Sequence, residues 1–347
     1  MSRPDLLLVS LGTTRGLRVA DAAFLEHVRA AGASAAAVSV RVGALGRLRR
    51  AYPVIDAVEM LAARRATAAA IRRRPRAVVF STVTAALLAP RLGLPYAVRL
   101  DSPAALNRPG LASAPLHVLE RRALRAARVV LPWSGAALAA LPAGRERALV
   151  LPPPVTSSGP RAERRERAAV AYVPDPKAKG LELLCAAWTL AGLGAARLVV
   201  FGIEADRARA HLARTGVPEP DGVEWRALAP APEFRSALRG ALAFVSAARW
   251  EDFGQAQLEA LADGALLVTG PSGGAYEALA LARELEPCLA APSLDPGALA
   301  DALRAAFELP GERLERYREE AGERLAPYRP DALERRVREQ VMPSLLG

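Results

Sequence analysis

The chain has 347 residues, of which 52% are hydrophobic and 24% are charged. That hydrophobic content excludes an intrinsically disordered protein, and the length predicts two domains of ordinary size, each with a buried core. The apolar run 6–11 follows Asp5 and is too short for the core of a signal peptide, and no run approaches the ~20 residues of a membrane span. We expect a cytoplasmic protein that is soluble or peripheral on the inner face of the membrane.

Positive charge is concentrated in the first half of the chain. Residues 1–150 contain 23 arginines against 8 acidic residues, a net charge of +15, whereas residues 151–347 carry a net charge of −4. Base bias of the genome explains many arginines but not this asymmetry, which favours an anionic partner for the N-terminal half. The densest basic patch comprises Arg47, Arg49, Arg50, Arg64, Arg65, Arg72, Arg73, Arg74 and Arg76.

Three interpretations of this basic patch stay open. Apolar residues such as Val54, Val58 and Leu61 lie between the arginines. The segment is therefore an amphipathic helix on anionic lipid, a face that recruits a substrate, or a core helix with a basic exterior. Nucleic acid is not expected as a partner, because no aromatic residues interleave with the arginines as stacking platforms would require.

The cysteines and histidines indicate neither a disulfide framework nor a metal site. Cys185 and Cys288 lie far apart, each inside an apolar run, so we predict two buried free thiols in a reducing compartment. His27, His117 and His211 show no ligand spacing, and the chain contains no Asp-x-Asp pair. We expect neither a catalytic metal nor another cofactor.

Strands and helices alternate along the N-terminal half, which predicts a parallel α/β sheet. The predicted strands are 5–11, 35–40, 77–81, 96–100 and 129–131, and the predicted helices are 20–31 and 54–73. The first strand is followed by a loop of Gly12, Thr13, Thr14, Arg15 and Gly16. Its glycines do not fit the G-x-G-x-x-G fingerprint, which weakens a phosphate-binding interpretation and disfavours an NAD-dependent enzyme.

A proline-rich stretch marks the clearest boundary in the chain. Three consecutive prolines, 152–154, continue neither a helix nor a strand ladder. We predict an N-terminal domain at 1–152, a hinge at 153–167, a C-terminal domain at 168–325 and a final helical segment at 326–347. The second domain repeats the α/β pattern, with strands at 168–173, 197–202, 223–228, 241–246, 266–269 and 288–290 and helices at 180–190 and 206–215.

Two glutamates flank a predicted helix start in the second domain. Glu251 lies in the loop after strand 241–246, and a helix opens near Gly254, carries Glu259 and stops at Gly264. The N–H groups of Gly254, Gln255 and Ala256 would face an anion at the carboxyl end of the sheet. The glutamates would then reach different parts of one extended ligand, although two solvated glutamates are the simpler alternative.

Lys177 and Lys179 are the only lysines in a chain with 45 arginines. A compact ammonium group suits a point contact to a diphosphate where a planar guanidinium would not fit. The helix that begins at Gly180 would add its N-terminal N–H groups to the same anion. A solvated lysine pair is the alternative.

These residues together resemble a known signature. Glu251-x7-Glu259 with Phe253-Gly254, followed by Gly273-Gly274-x-x-Glu277, is similar to the donor site of the retaining, family 4 type GT-B glycosyltransferases, the glycosyl transferases group 1. The resemblance implies two Rossmann-like doubly wound domains that face each other across a cleft, with the N-terminal one on the acceptor side. It further implies metal-independent transfer of a sugar from a nucleotide-diphosphate-sugar to a lipid, glycan or small-molecule acceptor.

The resemblance also implies roles for single residues. In the family, a Lys-Gly pair that corresponds to Lys179-Gly180 binds the donor diphosphate, and the arginine five residues earlier is replaced here by Pro174. The second cation is therefore expected from Lys177 or from the other domain. Glu251 would contact the transferred sugar and Glu259 the ribose, and the remaining donor-binding residues would be Gly202, Phe253, Gly254 and Gln255.

On the acceptor side the resemblance is one of position. The loop Gly12–Gly16 corresponds to a family loop that closes over the sugar diphosphate or the acceptor. Asp101 stands where the family often has a His-Asp pair near the reaction centre, with Leu100 in place of the histidine; turn capping before Ser102-Pro103 is the alternative. An inactive sugar-nucleotide-binding or membrane-surface protein of the same fold stays open.

Overall fold

The structure, a computed structural model, describes residues 3–42, 52–89, 93–160 and 165–347. The chain divides into two compact units: Met1–Pro154 with Tyr328–Gly347 form unit 1, and Val155–Pro327 form unit 2. Within the described residues each unit contains one parallel sheet of five strands flanked by helices. The predicted two-domain α/β fold of the Rossmann type is therefore confirmed.

In unit 1 the strand order is β2-β1-β3-β4-β5. Every residue of β3, β4 and β5 is buried, as expected for a parallel sheet whose two faces are covered by helices. The strands are β1 (Leu6–Ser10), β2 (Ala35–Ser39), β3 (Ala77–Phe80), β4 (Tyr96–Leu100) and β5 (Val129–Pro132). The helices are α1 (Arg15–Ala30), α2 (Tyr52–Ala70), α3 (Val83–Ala86), α4 (Ala104–Asn107), α5 (Ala114–Ala126) and α6 (Gly135–Ala140).

In unit 2 the strand order is β10-β9-β6-β7-β8. The strands are β6 (Glu166–Tyr172), β7 (Arg197–Phe201), β8 (Val223–Arg226), β9 (Ala241–Ser246) and β10 (Leu266–Thr269). The helices are α7 (Leu181–Ala191), α8 (Ala205–Thr215), α9 (Ala231–Gly240), α10 (Gln255–Ala262), α11 (Glu277–Leu285), α12 (Pro296–Glu308) and α13 (Gly311–Arg324).

The last twenty residues return to the core of unit 1. After a 3₁₀ turn at Ala326–Tyr328, the chain forms α14 (Pro330–Arg336), one π-helical turn and α15 (Met342–Leu346). The apolar face of this segment packs against β1 and β3, because Leu333, Val337 and Leu345 belong to the same buried cluster as Leu6 and Leu8.

Strand order locates one switch point in each sheet. In unit 1 the connections reverse direction between β1 and β3, and in unit 2 they reverse between β6 and β9. Helices leave a crevice at the carboxyl ends of the two strands at such a point, and open α/β sheets bind their ligands there. The fold therefore predicts a ligand-binding site at each of these two crevices.

Two predicted elements are wrong. The first helix begins at Arg15 and not at residue 20, because the Thr14 hydroxyl accepts a hydrogen bond from Leu17 N (3.1 Å) and caps it. The predicted strand 288–290 is a 3₁₀ turn at Pro287–Leu289, with only an isolated bridge from Ala290 to Thr269.

The prediction of two buried thiols holds for one cysteine. Cys185 is buried in α7, and its burial raises the pKa of the thiol to about 12, so it stays an inert core residue. Cys288 is exposed, which corrects the prediction: it lies on a 3₁₀ turn that buries Leu289 and leaves Cys288 at the surface.

The described part of the basic patch lies on the surface. Arg47, Arg49 and Arg50 fall outside the described residues. The other six arginines are exposed on α2 or in the segment after it, namely Arg64, Arg65, Arg72, Arg73, Arg74 and Arg76. α2 also buries Val58, Ala63 and Ala70, so one face of the helix packs into the core of unit 1 and the arginines lie on the other. No described helix has the length and apolar content needed to cross a membrane.

A buried carboxyl group in unit 1 gives a prediction for the pH dependence of stability. Glu120 is 0% exposed; its Oε1 accepts a hydrogen bond from Ala104 N (2.7 Å), and burial raises its pKa. The neutral Glu120 carboxyl group therefore contributes to the free energy of unfolding at pH values below the ordinary carboxyl pKa. This contribution is lost as the pH rises through the raised pKa of the folded state. Glu120→Gln keeps an acceptor and cannot ionise.

We expect the stability of Glu120→Gln, measured relative to the parent, to increase when the pH is raised from about 4 to about 8. The urea midpoint of unfolding at both pH values measures this gain. Glu26→Gln, which changes an exposed glutamate of α1, is the matched control. A difference between Glu120→Gln and the parent that is the same at both pH values would contradict the assignment.

Candidate active site

A pocket of about 140 Å³ lies at the switch point of unit 2. Its walls are the carboxyl ends of β6 and β9, the start of α10 and the loop before α7. The lining residues are Tyr172, Val173, Lys179, Leu184, Phe244, Val245, Ser246, Ala247, Glu251, Gln255, Ala256 and Gln257. We call it the donor pocket after the predicted donor-binding residues that line it; its described lining contains one ammonium group and one carboxylate among neutral residues.

Glu251 is the centre of a short polar network in the donor pocket. Its Oε2 accepts hydrogen bonds from Lys179 Nζ (2.8 Å) and from Gln257 Nε2 (3.0 Å). Gln257 Nε2 also donates to Ser246 Oγ (3.2 Å), which ties the network to β9. The Lys179 and Glu251 side chains are 22% and 16% exposed, so a ligand in the pocket can reach both.

A tight turn before α7 presents Lys179. Asp175 Oδ1 accepts hydrogen bonds from Lys177 N and Ala178 N, and Lys179 N donates to Asp175 O (2.9 Å). Gly180 closes the turn at φ +62°, where a Cβ would collide with the Ala247 carbonyl oxygen. A glycine is therefore required between Lys179 and the helix.

The start of α10 forms the opposite wall of the pocket. Gly254 precedes the helix at φ +89° and, as a glycine, has no side chain with which to cap it. The first N–H groups of a helix have no intrahelical acceptor, and the helix dipole makes that end positive. Because Gln255 and Ala256 line the same pocket as Lys179, an anion there would meet both sources of positive charge.

The glycine pair of the signature supports the Glu251 loop. Glu251 N donates to Gly273 O, and Gly273 N donates to Arg249 O (both 3.0 Å). The Trp250 ring lies against Gly273, and Gly274 adopts φ +88° beside the Glu251 carbonyl group. Side chains at either position would displace the loop that carries Glu251.

A second ion-pair network braces this loop from the side of α7. Glu182 accepts hydrogen bonds from His211 Nε2 (2.9 Å) and pairs with Arg249 (2.6 Å). Although burial opposes it, these hydrogen bonds hold the pKa of Glu182 below its usual range. Glu182 therefore stays ionised and anchors Arg249, two residues before Glu251.

The donor pocket unites some of the predicted residues and leaves others outside. Lys179, Glu251 and Gln255 line it, and Gly180 and Gly254 shape its walls. The other predicted donor-binding residues, Lys177, Gly202, Phe253 and Glu259, are absent from the lining.

The four predicted residues outside the lining differ in exposure and in contacts. Lys177 is exposed, Phe253 is buried, and Gly202 N donates to Arg226 O (2.9 Å). Glu259 accepts a hydrogen bond from Gln255 (3.0 Å) and lies 3.8 Å from Arg235. Their assignment to a donor stays a prediction.

Gln257 is the functional candidate that the sequence interpretation missed. It is 3% exposed and lies on the face of α10 that also buries Leu258 and Leu261. A glutamine on a buried helix face needs hydrogen-bond partners, so its position between apolar residues in the sequence could have indicated a polar contact. Its contacts to Glu251 and Ser246 make it the residue that orients the carboxylate.

The switch point of unit 1 contains a second pocket, of about 150 Å³. We call it the N-terminal pocket; its lining is Leu11, Thr13, Asp56, Glu59, Thr82, Val83, Thr84, Asp101, Ser102, Ala104, Asn107, Arg108 and Leu116. Asp101 follows β4, and its Oδ1 accepts a hydrogen bond from Ser102 N (2.8 Å), as in the capping interpretation.

Of the described side chains in the predicted loop 12–16, that of Thr13 lines the N-terminal pocket. Gly12 has φ +56° and its carbonyl oxygen accepts from Arg18, while Thr14 caps α1. Arg15 and Gly16 form the first turn of α1 and not a loop, and the side chain of Arg15 is outside the described part of the chain.

Among the residues that the structure describes, no three His, Cys, Asp or Glu side chains are grouped so that they could hold a metal ion.

Substitution of Gly254 tests how the start of α10 is held. An added Cβ would lie 2.7 Å from Tyr276 Cε2, in addition to the strain of a positive φ. Gly192→Ala is the matched control, since Gly192 also has a positive φ (+62°) but nothing lies within 4 Å of the added atom.

We expect Gly192→Ala to cost roughly 1–2 kcal/mol from backbone strain alone, and Gly254→Ala to cost clearly more. Gly254→Ala should also weaken binding of a nucleoside diphosphate. Denaturant unfolding and calorimetric titration measure the two effects. Equal losses in both variants would show that Tyr276 does not hold the start of α10.

Comparisons with known proteins agree with this geometry. Residues 164–324 match the family model described as glycosyl transferases group 1. This range contains every lining residue of the donor pocket. No curated protein matches the sequence.

Solved structures resemble the whole chain. Anabaena HepE in complex with UDP and glucose aligns with a TM-score of 0.68 at 13% identity and covers 97% of this chain and 99% of its own. Sucrose-phosphate synthase from Thermosynechococcus elongatus aligns with a TM-score of 0.70 at 17% identity, with 96% of both chains covered.

A trehalose-phosphate synthase from Burkholderia xenovorans, in complex with glucose-6-phosphate, aligns with a TM-score of 0.68 at 14% identity and covers 99% of this chain and 100% of its own. These likenesses show the two-domain fold, and the family match covers the residues of the second unit. The chain therefore has the two-domain fold of the GT-B glycosyltransferases, and its residues 164–324 match the glycosyl transferases group 1.

Proposed function

We propose that the protein is a retaining glycosyltransferase that takes a sugar from a nucleotide-diphosphate-sugar held in the donor pocket. The observation that carries the proposal is the convergence of Lys179, Glu251 and the start of α10 on one pocket. A diphosphate brings two negative charges, and the pocket offers an ammonium group and a helix end. The carboxylate beside them is placed to accept hydrogen bonds from sugar hydroxyls.

The charges that develop during transfer assign the roles. The acceptor oxygen forms a bond to the anomeric carbon, the bond between that carbon and the phosphate oxygen breaks with its electron pair on the departing diphosphate, and the acceptor hydroxyl passes its proton to that diphosphate. Negative charge then grows on the diphosphate, where Lys179 and the N–H groups of Gln255 and Ala256 would stabilise it. Glu251 would position the transferred sugar, and Gln257 holds Glu251 in place.

Donor binding would rearrange the polar network. In the structure Lys179 Nζ is 2.8 Å from Glu251 Oε2. A bound diphosphate would attract the ammonium group, and the freed Glu251 oxygen would then accept from the sugar. The ion pair thus holds both groups in place until the donor enters.

The first donors to test are UDP-sugars, since HepE is described in complexes with UDP-glucose and with UDP and glucose. A thermal-shift comparison of UDP-, GDP-, ADP- and dTDP-sugars should show that one nucleotide class raises the melting temperature. Release of that nucleotide in the presence of an acceptor would establish turnover. Stabilisation without turnover by any acceptor would favour an inactive sugar-nucleotide-binding protein.

Retention and metal independence are separate parts of the proposal. Retention requires that the product keeps the anomeric configuration of the donor, which proton NMR of the product reads directly. Metal independence requires that excess EDTA leaves the rate of nucleotide release unchanged. A product of inverted configuration would contradict retention. A rate that EDTA abolishes and Mg²⁺ restores would contradict metal independence.

The exposed arginines of α2 favour an additional association with an anionic membrane surface. Arg64 and Arg65 are exposed there, and Leu61 and Val54 are 43% and 42% exposed beside them. Sedimentation with anionic vesicles that fades as salt rises, and that is absent with neutral vesicles, would support this association. Equal recovery with both kinds of vesicle would contradict it.

A further inference from the structure

A chain of hydrogen bonds runs from Glu251 into the core of unit 2. The Gln257 amide nitrogen donates to Glu251 Oε2 (3.0 Å) and to Ser246 Oγ (3.2 Å). The side chain of Ser246 hydrogen-bonds in turn to the Tyr276 hydroxyl group, and Tyr276 Oη lies 2.8 Å from Thr269 Oγ1. All four side chains behind Glu251 are buried, so water competes weakly for these hydrogen bonds.

The carboxylate at the start of this chain fixes the direction of its hydrogen bonds. A carboxylate only accepts, so the Gln257 NH2 group donates one hydrogen to Glu251 and the other to Ser246. The Ser246 oxygen is then an acceptor, and its own hydrogen is available to Tyr276. Burial raises the pKa of the Tyr276 hydroxyl group, which therefore stays protonated and donates to Thr269.

This direction matters because the two ends of an amide group have nearly the same shape and opposite polarity. The NH2 end of Gln257 attracts the Glu251 carboxylate, whereas its carbonyl end would repel it. A Ser246 hydroxyl group without an acceptor would donate to Gln257 instead, and the amide would then turn its oxygen towards both neighbours. The Tyr276 hydroxyl group prevents this by accepting the Ser246 hydrogen.

Resting on the proposed glycosyl transfer, we propose that Tyr276 is a positioning residue whose hydroxyl group holds the Gln257 amide with its NH2 end towards Glu251. Tyr276 is not in the described lining of the donor pocket, so it acts on the sugar only through Gln257. The need is greatest with a bound nucleotide-sugar, when Lys179 turns to the diphosphate and the contact from Gln257 to the carboxylate stays.

The signature that identifies the site does not contain this role. Tyr276 occupies the second open position of Gly273-Gly274-x-x-Glu277. Its ring lies against Gly254, where an added Cβ would be 2.7 Å from Tyr276 Cε2. Tyr276→Phe keeps this ring contact and removes only the hydroxyl group, so it tests the hydrogen-bond chain separately from the packing.

Side-chain NMR tests the orientation of the amide without any ligand. The protein contains three glutamines, Gln255, Gln257 and Gln340, so selective ¹⁵N labelling of glutamine gives three NH2 signals. Gln255→Ala and Gln340→Ala assign them by difference. We expect the two Gln257 hydrogens to exchange with water at least tenfold faster in Tyr276→Phe than in the parent.

A second buried tyrosine of unit 2 provides the matched control. Tyr317 on α13 is buried, and its hydroxyl oxygen accepts a hydrogen bond from Leu267 N (3.1 Å), outside the chain that reaches Glu251. Tyr317→Phe should leave the exchange of the Gln257 hydrogens as in the parent. Parental exchange in Tyr276→Phe, or an equal acceleration in Tyr317→Phe, overturns the proposal. Thr269→Val removes the next hydroxyl group of the chain and takes the place of Tyr276→Phe if that variant does not fold.

Kinetics separate a positioning role from a general loss of structure. Because Tyr276 acts on the carboxylate that faces the sugar, we expect Tyr276→Phe to lower kcat roughly tenfold and to leave the affinity for the free nucleoside diphosphate within about twofold. The double variant of Tyr276→Phe with Gln257→Met should be no slower than Gln257→Met alone, because both changes break the same contact. A parental kcat in Tyr276→Phe, or losses that add in the double variant, overturns the role.

The NMR and the kinetics distinguish two kinds of failure. If the Gln257 hydrogens respond as expected but no nucleotide-sugar stabilises the parent protein, the orientation of the amide stands and the proposed function fails. If the parent transfers sugar and Tyr276→Phe matches it in exchange and in kcat, the proposed function stands and the role of Tyr276 is wrong.

Discussion

Lys179→Met is expected to lower kcat/KM for glycosyl transfer by roughly 10²–10³-fold, as the loss of one preorganised group that stabilises transition-state charge does in other enzymes. Lys179 is the one side-chain cation in the described lining of the donor pocket. Its removal also takes away the ammonium group that donates to Glu251 Oε2, while the hydrogen bond from Gln257 Nε2 stays. Nucleotide release at saturating and limiting donor measures the effect.

Two further variants test the shape of the cation. Lys179→Arg keeps the charge, but the planar guanidinium group does not fit a site built for an ammonium group 2.8 Å from Glu251 and 3.4 Å from Trp250 O. We expect it to restore only part of the lost rate. Arg214→Met removes an exposed cation of α8 and should leave the rate within about twofold; a Lys179→Met enzyme that retains half of the parental rate would contradict the assignment.

Lys177→Met tests which of the two lysines contacts the diphosphate. The sequence treats them alike, since they are two residues apart and are the only lysines of the chain. The turn around Asp175 separates them: Lys179 enters the pocket, whereas Lys177 is exposed. A loss as large as that of Lys179→Met would show that Lys177 moves onto the diphosphate when the donor binds.

The parts of the site that follow from short sequence spacings could be predicted. The strand, the loop with Glu251 and the helix after Gly254 are contiguous, so local signals place the carboxylate beside the helix start. Lys179 joins them because Gly180 begins the next helix at the same edge of the sheet. The ion pair between Lys179 and Glu251 then follows from the parallel topology.

Contacts between distant segments could not be predicted. The N-terminal pocket combines Asp56 and Glu59 of α2 with Asp101 after β4, and no local pattern relates these positions. Gln257 lies six residues from Glu251, and only the path of the intervening loop brings their side chains together. The start of α1 was missed for a different reason: Gly16 weakens helix propensity, but the cap at Thr14 outweighs it.

The second large effect is expected in the core of unit 1. Arg99 on β4 is 1% exposed, and its Nη1 lies 2.7 Å from Asp21 Oδ1. Burial lowers the pKa of Arg99, and the neighbouring Asp21 opposes that shift. The guanidinium carbon also lies 4.5 Å from the centre of the Phe24 ring. This charge is stable inside the sheet only while Asp21 compensates it.

Asp21→Ala should therefore destabilise unit 1 by roughly 3–5 kcal/mol, because it leaves a buried guanidinium group without its counter-ion. Hydrogen exchange followed by mass spectrometry measures the loss in each unit separately, which a single unfolding transition does not. Protection of the β4 peptide should fall by two to three orders of magnitude or more, about one for each 1.4 kcal/mol. Protection of the β7 peptide in unit 2 should stay unchanged.

Two controls separate the charge from the packing. Glu146→Ala removes an acid of unit 1 that is exposed and paired with Arg147, so it should leave exchange in β4 as it is. The double variant Asp21→Leu with Arg99→Met replaces the buried pair by apolar side chains and should recover most of the protection. If the double variant exchanges as fast as Asp21→Ala, the unpaired charge of Arg99 is not the cause, and the loss comes from the changed packing and the lost Ser10 hydrogen bond at position 21.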